Sequence, residues 1–532
     1  MTHRPDPALD GPGHATLSVA SILAESAVRH ADRPALHFAG TTTTYAQLWE
    51  QTRAYAGALR GRGIGRGSRV AMMIPNVPDF ARVYYAALAL GAVVVPVHLL
   101  LKAAEIEYVL RDAEADVLVV AAPMLSEALP AAAAAHVPVV TVLLPADTPP
   151  PAGDLPRLER EAAASTPLDR HVATGPTDPA TILYTSGTTG TPKGAVGSHL
   201  SLVEQVHCTL IDSFDLNGDD IVFGGLPLFH TFGQTAVMNM AFRVGASIIL
   251  LPRFDADEAL ALMAAHGATV FTAVPTMYVG MLEAARRSDA RPPLRYAVSG
   301  GAALPVVVLE AFRTAYGADV HEGYGLTETA PIVSSNTLRE PIRPGTVGRP
   351  LWGVDVAIAD ADNDEAVVLI GDADALGEVV VRGHNLFKGY LGRPDATDAA
   401  VVDGWFRTGD LGRCIDGVLT IVDRKKDMIV RSGYNVYPTE VEAVLVQHPA
   451  VAAAAVFGVA DEVRGQEVHA AVVTRESTTV DAGELIAFAR DRIAAYKYPR
   501  VVHLVDELPL GASGKVLKRV LAEQFALQPA RD

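Results

Sequence analysis

The stretch Tyr184-Thr185-Ser186-Gly187-Thr188-Thr189-Gly190-Thr191-Pro192-Lys193-Gly194 gathers hydroxyls, glycines and one lysine in the way a polyphosphate site requires. Ser186, Thr188, Thr189 and Thr191 can donate to phosphate oxygens, Gly187 and Gly190 let backbone N–H groups come close, and Lys193 supplies a mobile positive charge. It is not a Walker A loop, because Pro192 stands where G-x-x-x-x-G-K-[ST] needs its second glycine. A Ser/Thr/Gly cluster between periodic segments is also what a plain surface turn looks like. The order of the residues is more specific than their composition.

That order is followed by Tyr324-Gly325-Leu326-Thr327-Glu328-Thr329, Trp405-Phe406-Arg407-Thr408-Gly409-Asp410, Asp423-Arg424-Lys425-Lys426-Asp427, Ser432-Gly433-Tyr434-Asn435-Val436-Tyr437-Pro438 and Ser513-Gly514-Lys515. Together these segments resemble the AMP-forming acyl-CoA synthetases, one branch of the adenylate-forming enzymes. The likeness runs from Thr43-Thr44-Tyr45 to Lys518-Arg519, nearly the whole chain. It implies ATP, Mg²⁺ and coenzyme A, and a carboxylic acid as substrate. One carboxylate oxygen attacks the α-phosphorus of ATP, pyrophosphate leaves, and the CoA thiol then displaces AMP from the acyl-adenylate. A carboxylate is already a nucleophile, so the first step needs positioning, cations and a metal more than a base.

The resemblance implies the following roles. Thr185, Ser186, Gly187, Thr188, Thr189, Gly190 and Lys193 hold the phosphates. Glu328 is the candidate Mg²⁺ ligand, since one carboxylate plus ATP oxygens suits an ion that keeps several waters, and Thr327 donates to the α-phosphate. Read alone, Thr327-Glu328 after a glycine is a helix start. Tyr324 and Gly325 belong to the adenine site, with Gly300-Gly301-Ala302 as its wall. Asp410 accepts from the ribose hydroxyls, helped by Arg424; its plainer reading is an Asp in a Gly-Asp turn. Lys515 is matched to the lysine that bridges carboxylate and α-phosphate oxygens, although a lone lysine near a terminus is ordinarily solvated. Lys518 and Arg519 read as solvated surface charges. Lys426 corresponds to the hinge about which the small domain rotates, bringing Ser432, Gly433 and Tyr434 to the pantetheine arm; Ser432-Gly433 is equally a hairpin turn. His230 would stand at the mouth of the acyl pocket, and no partner follows it at zinc spacing.

Amino-acid-activating relatives keep an aspartate where this chain has Phe229-His230-Thr231-Phe232, so an uncharged acid tail is expected. Phe271 to Met277 and Val298-Ser299 are the expected pocket lining, apolar and suited to an aliphatic or aryl acid. The spelling of Ser432 to Pro438 and Tyr496-Lys497-Tyr498-Pro499 is more like fatty-acid ligases, which favours a medium to long aliphatic chain. Two rivals stand beside the CoA ligase. One is a stand-alone ligase that loads a carrier protein's phosphopantetheine; the other, of a different class, is a catalytically silent nucleotide-binding protein.

The elements that must position these residues belong to a chain of 532 residues, 49% of them hydrophobic, too long for one ordinary core. Apolar runs of strand length, Val70–Ile74, Val117–Val120, Val139–Leu144, Ser247–Leu251 and Val270–Val274, alternate with helical stretches. Strands that are apolar throughout predict sheets covered on both faces, hence an α/β fold. Val441 to Phe457 and Glu484 to Tyr496 read as a smaller α+β unit. The expected organisation is a large N-terminal adenylate-forming domain of several subdomains over 1–423, a hinge at 424–427 and a mobile C-terminal domain over 428–532. A formal charge of −17 argues against nucleic-acid binding. The two cysteines, Cys208 and Cys414, fit a reducing compartment, and Met1 to Gly13 lacks the apolar core of a signal peptide, so a cytoplasmic protein is expected. Val83 to Leu101 carries no charge unless His98 is protonated, but Gly91 and Pro96 interrupt it. A helix from Phe80 to Leu90 and a buried strand from Ala92 to Val97 explain it better than a membrane span. Whether a carrier protein or a second copy of the chain is a partner is left open by the sequence.

Overall fold

The computed structural model describes residues 17–149, 152–185, 191–372, 374–461, 463–475, 478–511 and 516–526. Ser186–Gly190 and Lys515 lie outside the described residues. Among those described, the strands form four sheets.

The apolar runs take the interior positions their composition demands. Val139–Val142, Val117–Ala121, Arg69–Met73, Val93–Pro96 and Pro179–Thr185 pair in parallel in that order, and Lys193–Ser198 closes the edge antiparallel to Pro179–Thr185. A second sheet of nine strands has a parallel centre of Val320–Tyr324, Tyr296–Ser299, Val270–Ala273, Ile221–Gly224, Ser247–Leu250 and Pro34–Phe38. The two sheets share one core. Val70, Met72, Val94 and Val119 from the first join Val222, Ile248 and Phe271 from the second. Helix Pro78–Ala89 is buried almost throughout between them, and Val93–Pro96 follows as a buried strand. Val83 to Leu101 is thus interior to the fold, and among the described residues no helix is long and apolar enough to cross a membrane.

A third, antiparallel sheet contains Val354–Ala359, Gly377–Gly383, Trp405–Ile415 and Val418–Arg424. It ends at Arg424, and the next strand, Ile429–Arg431, already belongs to the fourth sheet. There Gly465–Thr474 pairs with Val451–Asp461 and Val501–Leu504, and helices Pro438–Leu445 and Ala482–Arg490 cover the core of Val441, Leu445, Val456 and Leu485. The α/β class with a large layered body and a smaller sheet unit is therefore as expected.

Candidate active site

A cavity of about 1870 Å³ runs between the large body and the C-terminal unit, and most of the chemistry-bearing residues face it. Thr185, Lys193, His230, Gly300, Gly301, Tyr324, Gly325, Thr327, Glu328, Asp410, Arg424 and Lys426 line it. Ala302 does not: it is exposed, just beyond the wall formed by its two glycine neighbours. Ser432, Gly433 and Tyr434 are also away from the cavity. They form an exposed turn in which Ser432 and Gly433 have positive φ (51° and 80°) and the Tyr434 ring packs 4.9 Å from Tyr496. The orientation of the small unit instead turns Gly511 and Val516 to Val520 toward the cavity.

The phosphate-loop flanks are held by partners far away in sequence. Before the loop, the Tyr184 hydroxyl donates to Asp112 Oδ2 at 2.7 Å, at the end of helix Ala103–Asp112. After it, the Pro192 carbonyl accepts from the Tyr108 hydroxyl at 2.8 Å. Arg393 Nη2 donates to both the Tyr108 hydroxyl (2.9 Å) and Asp112 Oδ1 (3.2 Å). Burial, and then Asp112, push the Tyr184 phenol above its ordinary pKa, so it stays protonated as a donor.

Glu328 sits in the short turn Thr327–Thr329, 8% exposed. Its Oε1 accepts from the Tyr390 hydroxyl at 2.9 Å and from Thr185 Oγ1 at 3.5 Å, while Lys193 Nζ lies 5.1 Å from the centre of the Tyr390 ring. Tyr390 thereby links the candidate metal ligand to the candidate phosphate lysine. No group of three or more His, Cys, Asp or Glu suited to a metal occurs among the described residues. A single buried carboxylate does fit Mg²⁺, which takes its remaining oxygens from nucleotide and water.

The nucleoside end is built by strand register. Asp410 and Arg424 are directly opposed on neighbouring antiparallel strands, which brings Arg424 Nε to 3.2 Å from Asp410 Oδ1. The Tyr324 hydroxyl donates to Asp410 Oδ2 at 2.6 Å; burial and then Asp410 raise that phenol far above its usual range. Behind them Glu378, 3% exposed, accepts Arg407 Nη2 at 2.6 Å and the Gly409 N–H at 3.0 Å, fixing the turn that presents Asp410. Glycine is required at one point of this wall, and little room is left for a side chain at another. A Cβ at Gly325 would overlap the Pro331 carbonyl, and one at Gly300 would meet the Phe232 ring at 3.0 Å.

An apolar branch lies against the nine-stranded sheet, lined by Val222, Val270, Tyr296 and Val298 of its strands and by Phe214, Leu216, Ala236 and Met240, with hydroxyls from Thr209 and Thr272. Among the described residues no carboxylate stands in it. Of the expected lining Phe271 to Met277, only Thr272 faces the cavity, joined by Val270 from the same strand. Side chains alternate along a strand, so Phe271 points the other way and stacks on Phe223 and Phe312 at 5.8 and 5.7 Å. Val298 and Ser299 line it as expected.

Two histidines flank Phe229. His230 Nδ1 accepts the Phe232 N–H at 3.2 Å, which leaves the proton of the neutral ring on Nε2. His98 packs edge-on against Phe229 at 4.6 Å, and burial lowers its pKa to about 4. It is therefore neutral at pH 7, and the segment Val83 to Leu101 carries no charge at all.

A family model described as AMP-binding enzyme matches residues 23–391, and another, AMP-binding enzyme C-terminal domain, matches residues 440–515. The chain belongs to the AMP-binding enzyme family. Its relatives include the long-chain-fatty-acid–CoA ligase of Bacillus subtilis (strain 168), 34% identical over 536 residues, 95% of this chain and 94% of that one. The feruloyl-CoA synthase of an Amycolatopsis species is 36% identical over 496 residues, 92% of this chain and 96% of that one. Among solved structures, the anthranilate CoA ligase AuaEII in complex with anthranoyl-AMP superposes with a TM-score of 0.88 at 26% identity, covering 96% and 97% of the two chains. This AMP-binding enzyme is accordingly an AMP-forming acid–CoA ligase, which uses ATP to make an acyl-adenylate and CoA to resolve it.

Asp112, Tyr390, Glu378 and His98 are the residues of this AMP-binding enzyme's site that sequence reasoning missed. Only Tyr390 left a local trace, an aromatic after Lys388-Gly389. The other three act through partners that sequence distance conceals.

Proposed function

We propose that this ligase activates an uncharged aliphatic acid of medium to long chain. The observation that supports this is the apolar branch, which lacks a carboxylate among the described residues and takes Val222 and Leu216 as well as Thr272 into its lining. An ammonium-bearing acid would find no counter-charge there, whereas each methylene laid in the branch gains about 0.8 kcal/mol.

The chain's residues divide the work. Lys193 and the loop 185–190 take the phosphates, Thr327 donates to the α-phosphate, and Glu328, oriented by Tyr390, would hold Mg²⁺. Bound there, the ion would draw negative charge from the phosphate oxygens. Asp410, steadied by Arg424 and Tyr324, takes the ribose hydroxyls; Gly300 and Gly301 admit adenine and Ala302 backs them. His230, protonated on Nε2, would donate to the acyl carboxylate. A carboxylate oxygen forms the bond to the α-phosphorus as the bond to pyrophosphate breaks, with Lys515 countering the charge that accumulates. The small domain, 428–532, then turns on Lys426 in the hinge 424–427 relative to the domain 1–423. That rotation exchanges Lys515 for Ser432, Gly433 and Tyr434, beside which the CoA sulfur attacks the acyl carbon and AMP departs. The free, unpaired Cys208 and Cys414 support a cytoplasmic setting.

The test is product analysis by mass spectrometry with ATP, Mg²⁺ and acids from acetate to stearate together with ferulate and benzoate, each with and without CoA. Medium and long aliphatic acids should give acyl-CoA with the highest kcat/KM. Preference for acetate or an aryl acid would refute the chain-length reading, and acyl-adenylate that accumulates and ignores CoA would move the acceptor to a carrier protein.

A further inference from the structure

Strand register shows how far the apolar branch runs. In the nine-stranded sheet Val270 is paired with both Val222 and Tyr296 on parallel strands, and two residues further along Thr272 is paired with Val298. All five line the cavity, and so does Gly300 at the adenine wall, two residues beyond Val298. Alternate residues share one face of a strand, so these rows descend a single face of the sheet from the nucleotide end to the strand starts. From Gly300 back to Tyr296 the run is about 13 Å at roughly 3.3 Å per residue.

Just before the row of Val222, Val270 and Tyr296 stand Asp220, Thr269 and Arg295, which bond to one another. Asp220, 2% exposed, accepts the Thr269 hydroxyl on Oδ1 at 2.7 Å and Arg295 Nη1 on both oxygens at 2.7 Å. The segment 214–220 closes the same end. The Phe214 ring stacks on Tyr296, with centres 5.4 Å and planes 11° apart, and Leu216 joins it in the lining; both are buried. Arg295 grips this segment twice, because its Nη2 donates to Asp215 Oδ1 at 2.6 Å while Nη1 holds Asp220. Arg33 adds a third hold through Asp219 Oδ1 at 2.6 Å and the Gly218 carbonyl.

We infer that Phe214, Leu216 and Tyr296 form a floor that sets the upper chain length of the acid, and that Arg295 is the positioning residue that clasps this floor through Asp215 and Asp220. This rests on the acid lying in the apolar branch, as proposed above, and narrows that reading to straight chains of medium length. With its carboxylate at the His230 and Gly300 end, an extended decanoyl chain fits a run of about 13 Å, and a palmitoyl chain overruns it.

The readout is the ratio of kcat/KM for palmitate to that for decanoate, taken from pyrophosphate release by the full-length enzyme. The wild type should prefer decanoate. Phe214→Ala opens the floor and should raise the ratio about ten-fold, since each methylene newly given an apolar wall counts for roughly four-fold. Leu216→Trp lifts the floor and should move the preferred acid from decanoate toward hexanoate; it decides if Phe214→Ala does not accumulate. Arg295→Met should shift the ratio in the same direction as Phe214→Ala but by less, and Arg295→Lys should return most of that shift. An arginine that served stability alone would lower the rate for all acids together and leave the ratio where it was. A wild type that uses stearate as well as decanoate would overturn the floor and leave the aliphatic reading standing, and variants that scale every chain length equally would overturn the floor too. If the wild type instead prefers benzoate, the aliphatic reading fails, and para-alkylbenzoates of graded tail length test the floor by itself: a tail limit that Phe214→Ala does not move would overturn it.

Discussion

Replacing Asp112 by Ala should damage ATP use and leave acid recognition intact. Asp112 is the acceptor on which both flanks of the phosphate loop converge, yet it does not line the cavity. The magnitude follows from its contacts. The Tyr184 bond, at 2.7 Å to a carboxylate and partly buried, is worth about 1.5–3 kcal/mol. The Arg393 pair is partly open to solvent and is left out of the sum. The Tyr108 contact, at 3.4 Å, is too long to add to the sum. The total is about 1.5–3 kcal/mol, shared between stability and loop placement; if half reaches the loop, ATP binds roughly four- to thirteen-fold more weakly. Pyrophosphate-release kinetics, with ATP varied at saturating acid and acid varied at saturating ATP, should show KM for ATP raised by that factor and KM for the acid unchanged. Tyr184→Phe removes only the first contact and should show most of the effect. A variant with a lowered thermal midpoint but the wild-type KM for ATP would refute the reasoning, since Asp112 would then be scaffold alone; parallel rises in both KM values would mean a general distortion.

Burial raises the Glu322 carboxyl to about 7, against N–H donors from Leu304 and Gly345 that lower it, and the residue is 5% exposed. The folded state therefore holds this proton more tightly than the unfolded chain does. The resulting stability is complete below the unfolded value of 4.5 and is lost as pH rises through 7. Glu322→Gln should melt above the wild type at pH 8 by the equivalent of at most about 3 kcal/mol, with the two converging at pH 5; a gap independent of pH would rule this out. In the acyl branch, Met240→Trp places an indole where a 4% exposed thioether now lines the cavity. Each methylene denied space should cost about 0.8 kcal/mol, roughly four-fold in kcat/KM, so long acids should lose most. An equal loss for every chain length in the same acid series would mean that Met240 does not bound the acyl chain.

What could be read along the chain was whatever a single stretch encodes. Val117–Val120 is apolar at every position, and it lies within a parallel strand buried on both faces, as that composition requires. Glycines that admit a neighbour's backbone or ring, such as Gly325 and Gly300, announced a crowded wall without naming the neighbour. What stayed hidden depends on pairing across distance. Tyr184 and Asp112 are 72 positions apart, and nothing local to either distinguishes this contact from two exposed polar residues. The strand Val270–Ala273 shows a subtler limit: it is apolar apart from Thr272, so both registers looked equally able to face a substrate, and only the packing of Phe271 on Phe223 and Phe312 chose. Lys518 is the sharpest case. A charge at a helix start is assigned to solvent because isolated burial costs several kcal/mol, and that inference is sound until carboxylates arrive from elsewhere. Here one arrives from Glu442 on helix Pro438–Leu445, whose Oε1 lies 2.8 Å from the Lys518 ammonium. A partner that only the folded chain brings near cannot be written in local pattern, which is why this largely buried ion pair reads along the chain as two solvated charges.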